Sequence, residues 1–405
     1  MPLINKRAMA VALAAVGLTA AACGSSSSGG TPPASSTSPT AAGSSAPSTP
    51  NITASSFTRD FSAMAQLKSL ASQGKGNVGV ILPDTTSSAR YAEFDAPYLT
   101  KAFEDAGLTS SQISIKNAQG SDSTFVTDAE ADITNGASVL LIDPEDPGTG
   151  GRVETYAKQH GVAVIDYDRI TQGSYYISFN NVEVGKLIGN GFATCVKAWH
   201  VAKPDLIEMK GDPTDNNATL FAEGYGAVIK AHPSWTVAAV PPGTWTPGTA
   251  LTEFEQAYTA HSGVNSAIIP NDENGAPIIT YLKNHGIKPR TFPMTGQDAT
   301  LVGLQNILSG YQCGTAYKPI YLEAQAAAAV AMYVRAGQTP PSALVNGSTA
   351  NPNNHGKAMP SVLLKPEWVT PSNMNATIIK DQFVPAKQLC TSKYKAACKA
   401  AGING

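Results

Sequence analysis

The sequence predicts an α/β protein made of two successive domains with parallel sheets. From Gly76 onward, short apolar runs alternate with segments of helical spacing, which is the pattern of βαβ units. The alternation restarts near residue 182 with a second run of similar length. Several apolar runs, such as Val162–Ile165, are continuous, which is typical of strands buried on both faces of a parallel sheet.

The first run contains five strands and three helices. The predicted strands are Asn77–Leu82, Gln112–Ala118, Val139–Ile142, Val162–Ile165 and Tyr175–Phe179. The predicted helices are Tyr91–Ala106, Ser123–Asn135 and Val153–His160. A glycine follows each helix, where it can adopt the left-handed conformation that ends many helices.

The second run repeats this order with five strands and six helices. The predicted strands are Asp205–Met209, Trp235–Val240, Ser266–Ile269, Phe292–Thr295 and Gly314–Tyr317. The predicted helices are Val182–Trp199, about Asn217–Lys230, Thr249–Thr259, Ala276–Asn284, Thr300–Leu308 and Tyr321–Arg335. The segment Ser361–Phe383 is expected to return to the folded body.

Composition narrows the class of protein. The 405 residues suffice for two or three domains, and 42% hydrophobic with 14% charged residues suits a soluble globular chain. A net charge of −2 argues against nucleic acid as a partner. The six histidines are scattered without metal-ligand spacing, and no Walker, G-x-S-x-G or G-x-G-x-x-G motif is present. No metal or cofactor is therefore expected.

The N-terminus has the pattern of an export signal. Lys6 and Arg7 precede an apolar stretch, Ala8–Ala22, that is too short for a comfortable membrane span. The small residues before Cys23 resemble a bacterial lipobox, which predicts a signal peptide at 1–22 and lipidation of Cys23. The Ser-, Gly- and Pro-rich residues 23–56 favour a flexible tether over the alternative, an ordinary secretory signal with an accidental cysteine.

Four further cysteines are expected to pair in an oxidising compartment. Three connectivities are possible. Cys390 and Cys398 are close in sequence, which favours that pair and leaves Cys195 with Cys313.

Polar and aromatic side chains recur where the predicted strands end. Because ligands of open α/β sheets bind at the carboxyl ends of the strands, these side chains are expected to meet in a cleft. Carboxylate, amide and guanidinium groups beside aromatic faces suit a neutral sugar. Two alternatives stay open: an amino acid ligand, and paired acids that hydrolyse glycosides.

Segments in this order resemble the periplasmic sugar-binding proteins of ABC importers, and among them most closely those that bind D-xylose. The matching segments are Asp166–Arg169, Tyr176–Asn181, Asp215–Ala218 with Leu220-Phe221, Trp245–Pro247, Asn271-Asp272, Gly296–Ala299, Tyr317–Pro319 and Ala376–Asp381. The resemblance implies a type I periplasmic binding protein fold, with two Rossmann-like lobes joined by three hinge crossings. It places 57–178 with about 319–350 in the first lobe and 179–318 with about 355–385 in the second. A Cys-containing tail, 386–405, follows.

The resemblance also implies the functional residues and partners. The sugar-contacting residues would be Arg90, Tyr91, Asp168, Arg169, Asn217, Trp245, Asn271, Asp298 and Lys318. Tyr91 stands where the family usually has Trp. The chain would bind a monosaccharide without catalysis, work as a monomer, dock on an ABC permease and touch the membrane through its lipid anchor only. Xylose, ribose and glucose remain open as ligands, and so do a sensing role and a glycan-acting enzyme.

Overall fold

The computed structural model describes residues 50–404. The predicted signal peptide, Cys23 and most of the predicted tether lie outside the described residues. Residues 50–56 were assigned to the tether, but they pack on the folded body instead. Ile52 is fully buried, and the Tyr333 hydroxyl donates to the Pro50 carbonyl oxygen at 2.5 Å.

Most strands lie where the apolar runs predict them. They are β1 (Asn77–Leu82), β2 (Ile113–Asn117), β3 (Ala137–Ile142), β4 (Ala163–Tyr167), β5 (Tyr176–Phe179), β6 (Asp205–Glu208), β7 (Thr236–Ala239), β8 (Ser266–Ile268), β9 (Thr315–Tyr317), β10 (Gly347–Asn351), β11 (Lys357–Leu364) and β12 (Glu367–Val369).

The helices also follow the predicted order. They are α1 (Lys68–Gln73), α2 (Ala96–Asp105), α3 (Asp122–Thr134), α4 (Pro147–Gln159), α5 (Asn181–Ala198), α6 (Asn216–Lys230), α7 (Pro247–Ala260), α8 (Asp272–Asn284), α9 (Leu301–Leu308), α10 (Ile320–Arg335), α11 (Ala386–Leu389) and α12 (Lys395–Ala400). A π-helical turn, Tyr91–Asp95, runs into α2. Helix α8 begins four residues earlier than predicted because Asn271 caps it, accepting from the Asn274 N–H.

The first lobe is built on a seven-stranded sheet of order β10-β11-β5-β4-β3-β1-β2. Its strands are parallel except for the β10–β11 pair. Strand β11 pairs in parallel with β5, so residues 357–364 belong to this sheet. This corrects the assignment of about 355–385 as a whole to the second lobe.

The second lobe has a three-stranded parallel sheet, β7-β6-β8, and an antiparallel pair, β12-β9. Isolated bridges at Met294 and Gln297 connect the two. The predicted strand Phe292–Thr295 is therefore wrong as a regular element. Pro293 has no N–H to donate, and the Thr295 hydroxyl, not its backbone, bonds both the N–H and the carbonyl of Ile269 at 2.9 Å.

The chain passes between the lobes three times. The passages are β5 to α5, β9 to α10 and β11 to β12. This agrees with the predicted two-lobed α/β fold and its three crossings. Both predicted disulfides are present: Cys195–Cys313 ties α5 to the segment before β9, and Cys390–Cys398 closes the tail. Among the described residues, no helix is both long and apolar enough to span a membrane.

Candidate functional site

All nine predicted ligand-contacting residues line one cavity between the two lobes. The carboxyl ends of both sheets point into it, because the parallel strands of each lobe end at this edge. Its free volume is small, about 30 Å³, which is room for two or three water molecules at roughly 10–15 Å³ each. The side chains around it are therefore in contact with one another across the cleft.

Arg90 forms the centre of the first lobe's wall. Its guanidinium makes a two-point contact with Asp95 at 2.7 and 2.9 Å, bonds Glu323 at 2.6 Å and approaches Asp168 at 3.2 Å. The side chain is only 3% exposed. Burial disfavours the ionised carboxylate of Asp168, but Arg90, Lys318 and Arg169 outweigh it and lower the pKa of Asp168 to about 2. Asp168 is thus a fixed anion.

Tyr91 and Arg169 complete this wall. The Tyr91 hydroxyl donates to Asp168 at 3.2 Å and accepts from Arg169 at 2.9 Å. Arg169 also bonds Asp143 and, across the cleft, Asp215, each at 3.0 Å. Buried guanidinium groups keep their charge, so these contacts fix the orientation of every polar group on this side.

The second lobe presents the Trp245 indole as an aromatic plate, which one hydrogen bond and close packing hold in place. The Trp245 indole N–H donates to Asp215 at 2.9 Å. Gly211 lies against the ring so closely that a Cβ there would be 2.1 Å from the Trp245 Cζ2 atom. Phe221 meets Trp245 edge-to-face, with ring centroids 6.5 Å apart. These neighbours fix the plane of the indole at the cavity.

Amide side chains of the second lobe bond the backbone of the first. Asn217 donates to the Asp168 carbonyl at 3.0 Å, and Asn271 donates to the Ser87 carbonyl at 3.2 Å. On the same lobe Lys318 pairs with Asp298 at 3.1 Å. Burial would lower the pKa of Lys318, but Asp298 and Asp168 raise it, so the amine stays charged.

Two cavity residues have backbones in the left-handed region. Asp168 has φ 58° and Asp298 has φ 84°. Their N–H groups still pair with neighbouring strands, Asp168 with Ile177 and Asp298 with Ala316, both at 2.9 Å. Non-glycine residues in this region cost energy and cluster at functional sites. Each lobe therefore turns one carboxylate into the cleft, Asp168 after β4 and Asp298 after the isolated bridge at Gln297.

A model of the family described as "Periplasmic binding protein domain" matches residues 78–339. The chain is 32% identical over 303 residues to the D-xylose-binding periplasmic protein of Escherichia coli K12, covering 73% of this chain and 87% of that protein. The chain belongs to the periplasmic binding protein family. Members of this family bind solutes, so this binding protein is not an enzyme, as the sequence predicts.

Two further relatives agree with this assignment. The binding protein is 30% identical over 337 residues to the multiple sugar-binding periplasmic protein SbpA of Azospirillum brasilense, covering 78% of this chain and 92% of that one. Its fold matches a carbohydrate transporter solute-binding protein of Chloroflexus aurantiacus, solved with D-glucose, with a TM-score of 0.66. That match has 25% identity and covers 77% of this chain and 97% of that structure.

Five other residues line the cavity of this binding protein and were not among the nine. They are Ser87, Ser88, Asp215, Phe221 and Gln297. Asp215 and Gln297 follow strands just as the nine do, so the strand-end signal could have included them. Ser87 and Ser88 lie in the loop 84–89, outside the segments that carry the family resemblance. Phe221 is an apolar residue on α6 and has the same sequence signature as a core residue.

Several buried polar atoms at this cavity have no hydrogen-bond partner. They are Ser87 Oγ, Arg90 Nη1, Asp168 Oδ1, Gln297 Oε1 and Asp298 Oδ1. Three of these atoms are in ion pairs that are not aligned for a hydrogen bond: Arg90 Nη1 lies 3.2 Å from Asp168 Oδ1, and Lys318 Nζ lies 3.1 Å from Asp298 Oδ1. Buried polar groups are normally paired, so such a concentration marks a place built to bond something else. The set contains both donors and acceptors.

Proposed function

We propose that this periplasmic binding protein captures a monosaccharide, with D-xylose as the first candidate, and delivers it to the permease of an ABC importer. The nine predicted residues are proposed to contact the sugar. The observation that carries the proposal is the set of five buried polar atoms without a hydrogen bond around an aromatic plate. A sugar offers hydroxyls that both donate and accept, and an apolar ring face that suits an indole.

The charges at the site are compatible with a neutral ligand. Arg90, Arg169 and Lys318 each already face at least one carboxylate within 3.2 Å. No cation of this set is left over to attract an anion. The relatives bind D-xylose or several sugars by their names, which supports a monosaccharide and leaves the choice of sugar open.

Capture is proposed to proceed by closure of the lobes about the three crossings. The bonds from Arg169 to Asp215 and from Asn217 to Asp168 join opposite lobes. An open form would expose the cavity, and a sugar would then take the place of some of these contacts, because the 30 Å³ left between the side chains is too small for a monosaccharide. The closed form would dock on the permease as a monomer. Lipidation of Cys23 would hold it at the outer face of the cell membrane.

Calorimetry on the purified chain tests the ligand. Titration with D-xylose, D-ribose and D-glucose should give one-to-one binding of at least one of them. An amino acid panel is the control, because Arg and Asp groups could in principle hold a carboxylate and an ammonium. Binding of an amino acid with no response to any monosaccharide would replace this proposal.

Two cell experiments test the rest of the proposal. Cys23→Ser should release the protein from the membrane fraction, while retention there would contradict lipid anchoring. Deleting the chain's gene should abolish uptake of the labelled sugar. Unimpaired uptake with a lost transcriptional response would favour a sensing role instead.

A further inference from the structure

A second cavity adjoins the one described above. Its volume is about 370 Å³, within the range of roughly 300–1,000 Å³ that is typical of small-molecule sites. Three residues, Ser88, Arg90 and Asp298, line both cavities. The second cavity therefore shares a wall with the proposed sugar site, and both lobes contribute to it.

The second cavity has an apolar side, formed mainly by Phe94, Leu301, Val302 and Phe383, and polar side chains complete its lining: Glu93, Glu273, Thr300, Gln305 and Gln388. Phe94 of the first lobe and Phe383 stack with ring centroids 3.9 Å apart. Leu301 and Val302 at the start of α9 are 37% and 41% exposed. Among the described residues the only other large hydrophobic side chain exposed to this degree is Val240, at 49%. Such exposed apolar surface beside a cavity marks a binding surface.

Ser88 is the weakly held member of the shared wall, whereas Arg90 and Asp298 are fixed by ion pairs. The Ser88 hydroxyl lies 3.3 Å from Glu273 Oε1 and 3.4 Å from Asp298 Oδ2. Both distances are at the long end for O–H···O bonds, which cluster near 2.7–2.8 Å. Glu273 Oε2 is buried without a partner. Rotation of the Ser88 side chain would therefore break only these two long bonds at the boundary between the cavities.

We propose that the second cavity holds an apolar substituent of a sugar bound in the first, so that the ligand class includes alkyl and aryl glycosides. The inference rests on the proposed sugar-binding function. The first cavity supplies charged and amide groups for hydroxyls, and the second supplies aromatic and aliphatic side chains for an alkyl chain or a phenyl ring. The two chemistries meet at Ser88.

Calorimetry with matched ligands tests the proposal. The probes are free D-xylose and D-glucose and their methyl and phenyl glycosides, each as both anomers. For at least one sugar and anomer, the phenyl glycoside should bind at least about tenfold more tightly than the methyl glycoside, because only the phenyl ring buries apolar surface in the second cavity. Tenfold corresponds to about 1.4 kcal/mol.

Two filling variants and one control locate the effect. Val302→Trp should fill the second cavity and remove the phenyl advantage, while the affinity for free sugar stays within about twofold. Val240→Trp is the matched control, because Val240 is also exposed, at 49% against 41% for Val302, but does not line the cavity. Leu301→Trp serves as a second filling variant, and thermal melts verify that each variant folds.

The outcomes separate the two proposals. Free sugar that binds while phenyl and methyl glycosides bind alike would overturn the second site and leave the proposed function intact. A phenyl advantage that survives both filling variants would also overturn it. No binding of any sugar or glycoside would overturn the proposed function, and the second site with it.

Discussion

Replacing Trp245 by Ala should weaken sugar binding with little effect on folding. The indole is the aromatic plate of the cavity, and its side chain is only partly buried in the absence of ligand. Its removal leaves Asp215 paired with Arg169 at 3.0 Å, so no buried charge is left unpaired. The free protein should therefore melt within a few degrees of the parent.

The magnitude follows from the area that a sugar would cover. A Trp side chain buries about 150–250 Å² when fully enclosed. A sugar ring on one face would cover roughly a third of this, and at about 25 cal/mol per Å² that is worth about 1–2 kcal/mol. Loss of an anchor often costs somewhat more, up to about 3 kcal/mol. The expected dissociation constant is thus about 5- to 150-fold higher.

Calorimetry with D-xylose, or with whichever sugar binds best, measures this change. Trp235→Ala is the matched control, because Trp235 is also partly buried but packs on His232 and Phe192, away from the cavity. It should alter stability but not affinity. Trp245→Phe keeps an aromatic face and should lie between the two. An unchanged affinity for Trp245→Ala would refute the assignment of the plate.

Three other predictions concern the backbone, pH and the disulfides. Gly211→Ala should weaken sugar binding at least several-fold in calorimetry, because the new Cβ, at 2.1 Å from the ring, must displace Trp245. Gly226→Ala is the control, because a Cβ there would have nothing within 4 Å. Equal sugar affinities of the Gly211→Ala variant and the parent would contradict this reasoning. Burial raises the pKa of Asp166 from 3.8 to about 8, so this carboxyl takes up a proton on folding, and the free energy of unfolding in urea should fall as pH rises from 5 to 8. Asp166→Asn should lessen that fall. A variant whose stability depends on pH just as the parent's does would contradict a raised pKa of Asp166. Replacing Cys195 and Cys313 by Ala should lower the free energy of unfolding by up to about 5 kcal/mol, because that disulfide closes a loop of 118 residues. Replacing Cys390 and Cys398 should lower it by up to about 2.5 kcal/mol, because that loop has only 8 residues. The reverse order in urea unfolding would argue that the disulfides do not act through loop entropy.

The sequence was most informative where strands end. A parallel sheet brings all its carboxyl ends to one edge, so polar residues after different strands must meet there, and all nine predicted residues line one cavity. The end of β4 was harder to place. Asp166 looks like a loop residue, yet its N–H pairs with the Tyr175 carbonyl at 2.8 Å and its carboxylate accepts from the Thr171 and Gly173 N–H groups. The polar residues thus predict that β4 ends at Ile165. The strand continues through Asp166 and Tyr167 because both pair with β5.

Contacts between segments that are distant in sequence could not be predicted from the sequence. The pairing of β11 with β5 joins residues about 180 positions apart, and nothing local in Ser361–Leu364 indicates which lobe it joins. Similarly, the burial of Ile52 depends on a shape formed by the whole first lobe. The second cavity arises in the same way, from helix starts of both lobes and the segment after the third crossing.

The same side chains close the lobes and line the cavity. Arg169 reaches Asp215 across the cleft, Asn217 reaches the Asp168 carbonyl and Asn271 reaches the Ser87 carbonyl, each at 3.0–3.2 Å. Closure without a ligand thus gains these bonds but leaves five buried polar atoms without a hydrogen bond. The two that also lack an ion pair, Ser87 Oγ and Gln297 Oε1, cost about 1–3 kcal/mol each. A ligand that pairs them would stabilise the closed form alone, because the open form leaves the same atoms to water. Ligand binding and lobe closure would therefore be one equilibrium, and a sugar that satisfies fewer of the five atoms should close the lobes less completely at saturation.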